Sequence, residues 1–222
     1  MRENNKVTKL KHRKDNFSTY ITRLLNSKHP ELGIKEDVRL SLNNIIKITV
    51  RKIMDGVNSV MLVNGNKTVS ERDISSGVKF VFSSARYFYN LCIEKGEEAI
   101  RVFEEAQAMK DEKTTQRSIK ANLIFPVSRI EDMFMSMAIG YTRKTGCSAI
   151  FMTAVVEHII GDILYQAGLV AKDEGKVRVK LRYIKSAIVN DEIYSILYKD
   201  TLLAGGDIDL NEHAKDDDSD DE

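Results

Sequence analysis

Four histidines, two cysteines and 33 carboxylates are the side chains of this 222-residue chain that could do acid–base, nucleophilic or metal chemistry. Their spacing argues against all three. His12, His29, His158 and His213 are scattered, and no H-E-x-x-H, G-x-S-x-G or G-x-x-x-x-G-K-[ST] pattern occurs. Gly168 and Gly175-Lys176 are wrongly spaced for a phosphate loop, and Val177 follows where a hydroxyl is needed. His158 lies within an apolar run, where a histidine is more often packed than ligating. Cys92 and Cys147 belong to no CxxC or Cys/His cluster, so they read as core thiols in a reducing compartment. The chain is expected to be no enzyme and to need no cofactor and no metal.

The charged residues are more informative. The formal net charge of +1 hides an asymmetry: residues 207–222 carry nine acidic groups against Lys215 alone, leaving 1–206 with a net charge of +9. A basic body suits a polyanionic partner, and "DDDSDDE" reads as a self-repelling, disordered tail. The first sixteen residues alone hold six basic side chains against two acidic ones, and they look like a polar arm rather than a signal segment. Asn16-Phe-Ser and Asn66-Lys-Thr would matter as glycosylation sequons only in a secreted chain. Thr145 to Val156 is the most apolar stretch, and at twelve uncharged residues it falls short of the ~20 that a membrane span needs. A soluble protein with no membrane partner is expected.

The elements that must position these charges are helical. Only two prolines and no tryptophan, set against many Ile, Leu, Met, Lys and Glu residues, favour helix over sheet. Helical spacing of apolar residues predicts a short helix over 16–28, a long one over 37–63 and a short one over 70–82, where Ser70 and Asp73 suggest a capping box. A further helix over 84–108 and a charged connector, 109–125, follow. Short, long and short helices then recur over 126–137, 148–172 and 180–189. Gly65, Val69, Arg72, Ile74, Gly77 and Val78 match Gly175, Val179, Arg182, Ile184, Ala187 and Ile188 at a spacing of 110. This is an internal repeat. Each unit alone is too thin to have an interior, so the two should bury their apolar stripes against each other, with the connector crossing the surface.

"NFSTYITRLLNSKHPELGI" and "NGNKTVSERDISSGVKFVF" resemble histone 2B, while "NLIFPVSRIEDMF", "AVVEHIIGDILYQAG", "KVRVKLRYIKSAIVNDE" and "LLAGG" resemble histone 2A. Order and spacing agree over residues 13–210, and the fused arrangement is similar to the histone doublets of the Marseillevirus group of giant DNA viruses. The resemblance implies an all-α fold of two histone folds packed head to tail as an intramolecular pseudo-heterodimer. Its parts would be a basic N-terminal arm (1–16), a 2B-like fold with an extra C-terminal helix (17–108), a connector and arm (109–125), a 2A-like fold (126–198), a docking segment (199–210) and an acidic disordered tail (211–222). It implies double-stranded DNA and a histone 4/histone 3-type doublet or tetramer as partners. Viral chromatin in the virion and the host-cell viral factory would be its setting, or nuclear chromatin if the chain is cellular.

Site residues follow from the same resemblance. Pro126 suits the first position of a helix, whose N–H is unpaired anyway, and this delivers Arg129 and a positive helix end towards a phosphate. Lys35 and Lys67-Thr68 would come from one combination of loops, and Arg143, Lys144, Lys176 and Arg178 from the other. Lys14, Arg117 and Lys120 sit on the flanking arms. Arg178 matches an arginine that enters the minor groove, and the equivalent place in the first unit is taken as Asn66, with Lys67 beside it. Glu157, Asp162, Asp191 and Glu192 match an acidic patch that receives basic peptides, weakened because Tyr165 and Ile193 stand where acids are usual. Thr201, Leu202, Leu203, Ala204, Gly205 and Gly206 match the segment that docks on neighbouring histones. Arg72 and Arg182 read as structural, each pairing with an acidic group. Two other readings are a CCAAT-binding type of histone-fold transcription factor, and a histone chaperone acting through the acidic tail.

Overall fold

The computed structural model describes residues 16–109 and 116–204, without the side chains of 199–204. The basic arm with Lys14, residues 110–115, Gly205, Gly206 and the acidic tail lie outside the described residues, as do the side chains of Thr201, Leu202, Leu203 and Ala204.

The first unit runs α1 (Ser18–Lys28), β1 (Gly33–Ile34), α2 (Glu36–Asn64), β2 (Thr68–Val69) and α3 (Glu71–Val81). Helix α4 (Arg86–Ala108) and the single turn α5 (Arg117–Lys120) lead to the second unit, which is α6 (Val127–Met135), β3 (Arg143–Lys144), α7 (Ser148–Asp173), β4 (Arg178–Val179), α8 (Leu181–Asn190) and α9 (Glu192–Ala204). Local chemistry sets several boundaries. The chain leaves α2 through Gly65, whose left-handed φ of 65° lets its N–H reach the Met61 carbonyl, and Gly175 repeats that conformation at 69° after α7. Ser70 and Asp73 form the reciprocal capping box that opens α3. The two-residue strands obey the repeat of 110 as well, β3 lying that far after β1 and β4 that far after β2.

The units interlock rather than abut. Helix α3 packs on α2 and α8 on α7, while α1 reaches across to α7 and α6 across to α2. Parallel pairing joins β1 to β4 and β2 to β3, so the first loop of each unit lies beside the second loop of the other. Helix α7 is long and apolar enough by composition to cross a membrane, yet 78% of its most apolar window is buried inside the chain. It is the central core helix, and its apolar character is accounted for by packing.

The two pseudo-equivalent junctions are solved with different side chains. In one, Asn58 of α2 donates to the Met137 carbonyl at 3.0 Å and accepts from the Ile139 N–H at 3.2 Å. In the other, the loop supplies the polar group: buried His29 lies 3.0 Å from the Tyr165 carbonyl and stacks on the Tyr165 ring at 5.4 Å. Gly168, which stands 110 residues after Asn58, leaves the room that His29 fills.

Two features depart from the sequence expectation. The sequence reading has no helix after 189, whereas α9 follows there; Asp191 caps it by accepting the Ile193 and Tyr194 N–H groups, and Tyr194 and Tyr198 on its inner face are buried. The described end of the connector also does more than cross the surface. Ala121 and Phe125 are buried, and the Phe125 ring packs 5.7 Å from that of Phe17.

Candidate nucleic-acid interface

The strand pairs create two basic edges, each built from both units. At the β1–β4 edge Gly33 lies opposite Arg178, with Lys35 and Lys176 flanking. At the β2–β3 edge Thr68 lies opposite Arg143 and Val69 opposite Lys144, while the Lys67 ammonium donates to the Gly140 carbonyl at 3.3 Å. This corrects the grouping read from the sequence. Lys35 belongs with Lys176 and Arg178, and Lys67-Thr68 with Arg143 and Lys144, because head-to-tail packing sets unlike loops side by side.

The register corrects a second assignment. The residue of the first unit equivalent to Arg178 is Thr68, not Asn66, since both open the second-loop strand. Each edge nevertheless has one exposed arginine on the same rung, Arg178 from the second loop at one and Arg143 from the first loop at the other. The Arg178 stem lies over Gly33, where a Cβ would come within 3.3 Å of its Cγ.

The opening of α6 is built as the sequence suggests, shifted by one residue. Pro126 is the capping residue, with φ −75° and ψ 109°, and Val127 is the first helical position. Its missing N–H therefore leaves no orphan donor at the cap. Arg129 is half-buried, lies 5.3 Å over the Tyr20 ring and donates to the Asn16 carbonyl at 2.6 Å, so part of its hydrogen-bonding capacity is used within the chain. Of the remaining arm residues, Lys120 closes α5 and is half-buried, and Arg117 is drawn inward.

Glu131 does the drawing, and no motif or spacing in the sequence singles it out. It lies on the buried face of α6 with Val127, Ile130 and Phe134, and forms ion pairs with both Arg117 and Lys144. Burial alone would raise its pKa, but the Arg117 and Lys144 cations outweigh that and hold the carboxyl below its usual range. The only sequence signal is an acid at a core-facing helical position, which predicts a partner without naming it.

The four patch acids are mostly engaged inside the chain. Glu157 accepts the Phe125 N–H at 2.7 Å and thereby pins the connector to α7. Asp162 accepts from the Tyr194 hydroxyl at 2.7 Å and Asp191 caps α9, leaving Glu192 exposed. The structural arginines differ as well. Arg182 pairs with Glu174 and lies 4.8 Å over the Tyr183 ring, whereas Arg72 is exposed and has no acidic partner among the described residues. His158 packs against Phe88, with ring centroids 6.1 Å apart, and burial lowers its pKa. Cys92 is a core thiol, which burial pushes up to about 12. No group of three His, Cys, Asp or Glu that could hold a metal ion occurs among the described residues.

Two interlocked repeats of short, long and short helices, joined by parallel loop pairs, define a tandem histone-fold protein. The backbone is similar to the crystal structure of the histone from Methanopyrus kandleri, with a TM-score of 0.51 at 13% identity, over 80% of this chain and 97% of that one. No family model matches the chain. It is 26% identical over 201 residues to the histone 2B–2A doublet of Melbournevirus, which covers 90% of this chain and 72% of that protein. It is also 37% identical over 103 residues to a probable histone 2A.2 of Arabidopsis thaliana, covering 46% of this chain and 76% of the plant protein. The chain belongs to the histones, as a doublet of a 2B-type and a 2A-type unit. Relatives and fold together support a structural, histone-type role in chromatin.

Proposed function

We propose that this chain packages duplex DNA as the outer histone pair of a nucleosome-like particle, in viral chromatin. The observation that carries the reading is the pair of crosswise basic edges, each with one exposed arginine and lysines from both units. Such groups neutralise phosphates and bend duplex through backbone and minor-groove contacts, without reading a base sequence.

An asymmetry between the two ends of the doublet supports the outer position. Leu62, Val63 and Phe80 are 64%, 87% and 65% exposed at the α2–α3 end. The residues 110 positions later, at the α7–α8 end, are Lys172, Asp173 and Asn190. The α2–α3 end presents two large apolar side chains and a valine and suits a histone 4/histone 3-type partner; at the α7–α8 end these three positions are polar, with Val189 exposed beside them, which suits ending the stack. Thr201–Gly206 would add a second contact to that partner. The patch that could receive basic peptides is narrowed to Glu192 and the rims of Asp162 and Asp191.

Competition binding tests the reading against a CCAAT-type factor. The full chain is expected to bind random and promoter duplexes with affinities within a few-fold of each other, falling steeply with salt. A preference of a thousandfold for one sequence would favour the transcription factor. The acidic tail competes with DNA for the basic arms, so removing residues 207–222 should tighten binding to random duplex, most at low salt. Unchanged affinity across salt concentrations would contradict that role for the tail.

A further inference from the structure

We propose that Glu131 is a positioning residue for DNA binding, gathering Arg117 of the connector and Lys144 of β3 into a single dication presented to the phosphate backbone. The inference rests on the DNA-packaging reading above and extends it to a residue of opposite charge. A carboxylate on the buried side of an amphipathic helix is destabilising unless it is paired. Here both oxygens are occupied, Oε2 by Arg117 and Oε1 by Lys144. The two cations come from segments on either side of α6 in the sequence, Arg117 from α5 and Lys144 from β3. With its residue 7% exposed, Glu131 is the fixed point, while the cations keep about a third of their side-chain surface in solvent, 33% for Arg117 and 34% for Lys144.

That partial exposure is what a phosphate needs. A guanidinium has five N–H donors and an ammonium three, so each cation keeps donors free after pairing with one carboxylate oxygen. The ordering cost of two long, flexible side chains is met on folding rather than on binding. The Val69–Lys144 rung ties this cluster to the β2–β3 edge, beside Arg143 and Lys67. The connector's arm and the loop edge therefore meet DNA as one unit, although Glu131 itself would repel it.

The opposing effects make the inference testable with the full chain and a random duplex. For a group that only repels DNA, Glu131→Gln tightens binding in every background. For a positioning residue, Glu131→Gln weakens binding by roughly tenfold at 50 mM salt and lowers the slope of log K against log salt by about 1 to 2, as when one or two phosphate contacts are lost. Arg117→Ala with Lys144→Ala should lower the slope by about 2. Adding Glu131→Gln to that pair should then change the slope no further, a cycle in which the buried charge leaves together with its partners and the fold is spared. Tighter binding at an unchanged slope in Glu131→Gln would overturn the inference while leaving the packaging reading intact. Absence of salt-dependent duplex binding by the wild-type chain would overturn both.

Discussion

Replacing Gly77 by alanine is expected to destabilise the protein by roughly 2–3 kcal/mol, the upper part of the range for an overpacked core. The repeat alone suggests the opposite, because Ala187 holds the equivalent position in the second unit. On helix propensity, Gly to Ala in a helix interior is favourable by about 1 kcal/mol. Packing decides the sign. A Cβ on Gly77 would stand 2.6 Å from the Ile53 carbonyl oxygen and 2.7 Å from a Val57 methyl carbon. The carbonyl belongs to the middle of α2 and cannot move alone, so α3 would have to lift from α2. Gly56 marks the same close approach from the other side, where a Cβ would lie 3.0 Å from the Gly77 Cα. A lower urea midpoint at unchanged slope would establish the effect, and an unchanged or raised midpoint would contradict it.

Replacing Glu157 by glutamine is expected to stabilise the protein at pH 8. Burial pushes this carboxyl up to about 7 from an ordinary 4.5, against the lowering effect of the Phe125 and Ile124 N–H groups and of Lys28. A folded-state pKa above the unfolded one gives stability that is fully present below the unfolded value and is lost as pH rises through the folded one. The wild type should thus lose stability between about pH 4.5 and pH 7, on the order of 3 kcal/mol from this group. Glutamine keeps an oxygen to accept from Phe125 and carries no charge to desolvate. Melting temperatures of the two proteins should converge at about pH 4, below the ordinary carboxylate value, and separate at pH 8, with the variant higher. A variant less stable at both would show that the ionised carboxylate is worth more to the connector than its burial costs.

These two sites show where sequence reading succeeds and stops. The helices and their repeat were legible because burial on one face imposes a helical period, and because Gly65 and Gly175 mark the same left-handed turn. The basic loop residues were legible as types. Their grouping was not, since which loops meet depends on how the units pack, and that is fixed by side chains far apart in sequence. Helix α9 was obscured by the glycines and the acidic stretch beyond it, while its anchors, Tyr194 and Tyr198, bury themselves against Asp162 and Thr49 from distant helices. Glu131 and Glu157 look like any acids until the connector folds over them. The patch acids illustrate the reverse case: they stand out in the sequence by type, but three of the four make hydrogen bonds inside the chain.

Nuclease digestion of DNA reconstituted with this protein, with and without a histone 4/histone 3-type partner, tests the packaging role most directly. The outer-pair arrangement predicts a discrete protected length that appears only when both are present. A smear in both cases, or equal protection by this chain alone, would contradict it.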